Sequence, residues 1–60
     1  MIKQLHLYDI LNEMLRAPIA VNFDKVLYYK PNSVNSQFTD IYFSSQDKIT
    51  VWESYDSLHS

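Results

Sequence analysis

Cysteine is absent from this chain of 60 residues, so neither disulfides nor thiolate metal sites can support its fold. Glycine is absent as well. Any turn that needs a positive φ must then draw on other residues, Asn and Asp first, which points to Asn32, Asn35 and Asp47. No apolar run approaches the roughly 20 residues of a membrane-spanning helix. The N-terminal stretch is interrupted by Asp9 and Glu13 and does not read as a signal or transit peptide. These absences lead us to expect a cytoplasmic protein with no membrane partner.

Positive charge is also scarce. The formal net charge is −2, and residues 31–60 set Lys48 against Asp40, Asp47, Glu53 and Asp56. A nucleic-acid binder would show a basic footprint instead. What is present is apolar and aromatic, at 47% and 15% of the residues, enough for one folded domain over 1–60. A domain this small buries only about 60% of the surface of its unfolded chain, so self-association or a bound partner is an expected supplement.

Residues 2–16, IKQLHLYDILNEMLR, place Leu7, Leu11, Met14 and Leu15 in one arc at about 100° per residue. This spacing predicts an N-terminal amphipathic helix that ends before Pro18, starting near Ile2 or near Asp9. Leu5-His6-Leu7 also fits a short strand. From Ile19 to Lys30 the period changes to two, which predicts a strand. Residues 31–36, PNSVNS, read as a loop, followed by strands at 37–44 and 49–54 about the polar turn 45-SQDK-48. The expected fold is α+β, one helix packed on a three-stranded antiparallel meander.

Alternation sorts the side chains of that sheet. Leu27, Tyr29, Ile41, Phe43, Ile49 and Val51 would face the helix, with Val21 or Phe23, while Val26, Tyr28, Phe38, Tyr42 and Trp52 would stand on the reverse face. Lys30, Asp40, Lys48 and Thr50 would lie among the latter. Aromatic side chains on an uncovered face suit a protein interface, because Tyr and Trp offer rigid area and a polar handle. Cross-strand aromatic pairing would explain the same rings without any partner.

Catalytic signals are missing. Serine is plentiful, yet there is no glycine elbow and no histidine set beside an orienting carboxylate in a recognisable context. His6, Asp9 and Glu13 would share a helix face, but one histidine with two carboxylates selects no particular metal, and a solvated face accounts for them. His59 is expected to fray at the terminus. We therefore expect no enzyme, no cofactor and no metal.

The run 49-ITVWESYDSL-58 resembles the edge-strand segment of phage uracil-DNA glycosylase inhibitors, through Val51, Glu53 and Ser54. That family continues into further acidic residues, where this chain has Asp56. The resemblance implies that Glu53 and Ser54 imitate DNA phosphate contacts while an apolar cleft between helix and sheet receives a side chain of the enzyme. The reading at this point is a non-enzymatic protein-binding module, of the kind used as a phage or mobile-element inhibitor. Its surface would comprise Tyr28, Phe38, Asp40, Tyr42, Trp52, Glu53, Ser54 and Asp56. Its partner would be a host protein, such as a nucleic-acid-binding enzyme with a basic surface. A homodimer that buries the aromatic face against itself is one alternative. A single-strand nucleic-acid binder that stacks bases on the same rings is another, disfavoured by the charge.

Overall fold

The computed structural model describes residues 1–59. Its sheet has five strands, all paired antiparallel: β1 (Ile2–Asp9), β2 (Met14–Asn22), β3 (Tyr28–Pro31), β4 (Thr39–Tyr42) and β5 (Lys48–Val51). In space they run β2-β1-β5-β4-β3. One short helix, α1 (Tyr55–His59), follows β5.

The expected N-terminal helix does not form, and the α+β arrangement of a helix on three strands is replaced by this sheet. Residues 2–16 build β1, a tight turn and the start of β2, with Leu5 opposite Ile19 and Lys3 opposite Val21. The strand reading of Leu5-His6-Leu7 was the correct half of the ambiguity. Pairing decides it, because only an extended chain brings Leu5, Ile19 and Val21 to one face, where Leu5 and Val21 are buried. The single strand expected over 19–30 is also divided. It ends at Asn22, whose side chain accepts from the Asp24 N–H and opens a 3-10 turn over Phe23–Lys25.

The β1–β2 turn corrects the glycine argument. Among the described residues the positive φ falls on Glu13, at 51°, and on none of Asn32, Asn35 or Asp47. Asp9 fixes this turn by accepting from the backbone and side-chain nitrogens of Asn12. Asn32 shapes its own loop through its side chain, with Oδ1 accepting from the N–H groups of Val34 and Asn35.

Leu5, Val21, Ile41, Val51 and Leu58 form the core, flanked by Ile19, Phe23, Val26, Tyr29 and Ile49. Tyr29, Ile41, Ile49 and Val51 thus face the side assigned to them by alternation. Val26 does not, for it packs against the core from the segment between the 3-10 turn and β3, outside any strand register. Leu27 and Phe43 lie exposed beyond the strand ends, so neither joins the core. Helix α1 covers the core face with Leu58. Ser54 Oγ accepts the Ser57 N–H at its start, and Lys3 Nζ donates to the Leu58 carbonyl at its end. His59 stacks on Tyr55 within this helix instead of fraying. Among the described residues no helix is long and apolar enough to cross a membrane.

A candidate interaction face on the reverse of the sheet

Every reverse-face residue contributed by β3, β4 and β5 is placed by register. Tyr28, Tyr42 and Lys48 form one cross-strand row, and Lys30, Asp40 and Thr50 the next. Tyr28 and Tyr42 stack with centroids 4.6 Å apart. Lys30 and Lys48 hold their ammonium groups 5.5 and 5.7 Å from the centre of the Tyr42 ring, within cation–π range.

The second row hides its carboxylate. Asp40 is only 2% exposed. A buried carboxylate is costly unless its oxygens are bonded. Here Oδ1 accepts from Asn32 Nδ2 at 2.8 Å and from Thr50 Oγ1 at 2.7 Å, and Lys48 Nζ lies 3.6 Å from Oδ2. Among the described residues no buried side-chain nitrogen or oxygen lacks a partner.

Beyond the second row stands a three-ring cluster that includes Tyr8, a residue the sequence reading had placed on a helix. Tyr8 stacks on Phe38 at 4.1 Å, and Trp52 leans on both rings at 5.5 and 5.4 Å. Phe38 is buried beneath, whereas Trp52 is 50% exposed and Tyr28 44% exposed. The alternation of β1 could have found Tyr8, had those residues been read as a strand.

The acidic residues singled out from sequence occupy other places. Glu53 Oε1 accepts the His6 N–H at 3.0 Å and Oε2 lies 2.8 Å from His6 Nδ1, so its carboxylate joins the end of β5 to β1. Ser54 caps α1, and Asp56 lies on the first turn of that helix, on the opposite side of the sheet. His6, Asp9 and Glu13, expected on one helix face, are separated by strand and turn, and Asp9 binds Arg16 at 2.8 Å. Arg16 first, then Asn12 through its side chain and backbone, holds the Asp9 carboxyl down at about 2, against an ordinary 3.8. Among the described residues no group of three or more His, Asp or Glu side chains is placed to hold a metal ion.

Comparison with known proteins found no family model, no curated protein and no solved structure that matches this chain.

Proposed function

We propose that the chain is a non-enzymatic cytoplasmic module that binds another protein through the reverse face of its sheet. The observation that carries this reading is Trp52, half in water and seated on the rings of Tyr8 and Phe38. A rigid, partly buried indole has little side-chain entropy left to lose on binding, which is what interface anchors share. Tyr28, stacked on Tyr42, offers a second anchor on the same face.

The accessible charges beside Tyr28 and Tyr42 are Lys30 and Lys48, since Asp40 is enclosed, while at the other end Glu53 is held by His6 and the exposed Glu13 shares a pocket with Tyr8 and Phe38. The Tyr28 and Tyr42 end of the surface therefore favours an acidic group on the partner. Glu53 and Ser54, on which the resemblance to glycosylase inhibitors rests, bond within the chain, so the proposed docking surface is the aromatic one.

A tagged chain used to capture protein from host lysate, beside a Trp52→Ser/Tyr28→Ser double variant, tests the reading. The wild type should retain a specific protein, and the variant should lose it by about 30-fold or more while keeping its circular dichroism. Equal retention by both would remove the proposal. A second reading draws on Lys30 and Lys48 astride Tyr42, an arrangement that suits stacked bases with phosphates alongside. Salt-sensitive binding of a single-stranded oligonucleotide, lost in the same variant, would favour it.

A further inference from the structure

Strands β1 and β5 pair at Leu7 and Val51 alone, and toward Asp9 and Lys48 they part. Between them opens a cleft of about 570 Å³, inside the roughly 300–1,000 Å³ typical of small-ligand sites. Leu7, Ile10, Leu11, Val34 and Ile49 supply its apolar wall. Two of these come from different loops and stand in water, Leu11 at 93% and Val34 at 79% exposure.

Three polar side chains of the cleft, Asp9, Asn32 and Thr50, are already bonded within the chain. Both oxygens of Asp9 are taken by Asn12 and Arg16, and Asn32 Oδ1 by two backbone N–H groups. Thr50 spends its hydroxyl proton on Asp40. The donors are in surplus. Arg16 commits Nη2 to Asp9 and keeps other guanidinium N–H groups, while Lys48 Nζ sits 3.6 Å from Asp40, beyond hydrogen-bond distance. Both cations are half exposed.

An alkane-like wall beside two cations with spare donors is complementary to one kind of molecule. We propose that the β1–β5 cleft binds a small amphipathic carboxylate, with its alkyl chain against Leu7, Ile10 and Ile49 and its carboxylate received by Lys48 and Arg16. Closure of Leu11 and Val34 over the chain would remove both from water. This site goes beyond protein docking and rests on the cleft, not on Trp52.

Decanoate titrated into isotopically labelled protein, followed by amide shifts and calorimetry, tests the assignment. Saturable single-site binding is expected, with shifts at the cleft residues. Decanol should bind about tenfold more weakly or worse, as should decanoate to Lys48→Gln, for want of a charge-assisted hydrogen bond. Val34→Asp, at an exposed position where folding is not at stake, should abolish binding with the amide spectrum otherwise retained. Equal affinity for decanoate and decanol, shifts confined to residues outside the cleft, or no saturable binding below millimolar concentrations would overturn the proposal.

Discussion

Two aspartates show how one residue type serves different ends in this chain. Asp40 is buried and lies under the reverse face, tied to Asn32, Thr50 and Lys48. Asp9 lies at the end of β1, where it closes the hairpin through Asn12 and Arg16. Because the Asp9 pKa is lowered in the fold, its contribution to stability is complete above the ordinary 3.8 and is lost as the pH falls through about 2. The Asp9 carboxyl, followed by side-chain carbon shifts during acid titration, should therefore titrate near 2. Replacement of Arg16 by Gln should move that midpoint up toward 3.8, since the guanidinium is the largest cause of the shift. An unmoved midpoint would mean that Arg16 does not hold the carboxylate in solution. The sequence did not show this pairing, because Asp9 and Arg16 are seven residues apart and a helix would have set them on one face but two turns, about 10 Å, from each other.

The elements show where reading by periodicity succeeds and where it fails. The β3–β5 meander was legible because Tyr29, Ile41, Ile49 and Val51 alternate cleanly with Tyr28, Tyr42, Lys48 and Thr50 over two antiparallel pairings. The first hairpin was not. Leu7, Leu11, Met14 and Leu15 mimic a helical arc, yet Leu11, Met14 and Leu15 are exposed and contribute nothing to the core. The real signal lay in Leu5, Ile19 and Val21, which meet only across the hairpin and leave no mark at short range. Both prolines acquire a meaning at this scale. Trp52 and Glu53 bind the carbonyl and N–H of His6 from the β5 side, so its cross-strand partner Pro18 turns its own main chain outward, along the free edge of β2. Asn32 donates to the Phe38 carbonyl, so the adjacent Pro31 likewise faces outward from the free edge of β3. Each outer strand thus lacks one donor on the side where another chain would pair. A Pro18→Thr/Pro31→Thr variant should show concentration-dependent self-association in light scattering that the wild type does not. Identical behaviour of the two chains would refute the edge-guarding role.

For the whole molecule the governing fact is that one sheet has two faces and, among the described residues, one short helix packs on one of them. At about 0.05–0.15 kcal/mol per residue, a chain of this length has roughly 3–9 kcal/mol of stability. Helix α1 packs on the core face, where Leu58 seals Leu5, Val21, Ile41 and Val51. The β1–β2 hairpin in turn hangs on the rest of the sheet through Leu7 opposite Val51, the Trp52 N–H on His6, and the Glu53 carboxylate. Among the described residues no helix lies on the reverse face, where Asp40 and Phe38 are buried while Trp52 and Tyr28 stand in water. The placement of Tyr28, Tyr42 and Trp52 on this face was available from alternation alone. The burial of Asp40 and the diversion of Glu53 and Asp56 were not, because they depend on a strand neighbour and a helix that local pattern did not reveal.

Trp52 is the chain's single tryptophan, so its fluorescence reports on that face directly. Iodide quenching should be substantial for the free protein, independent of protein concentration, and sharply reduced once the captured partner is bound. Quenching that falls as the free chain is concentrated would show a self-interface instead, and quenching unchanged by the partner would contradict docking through this surface.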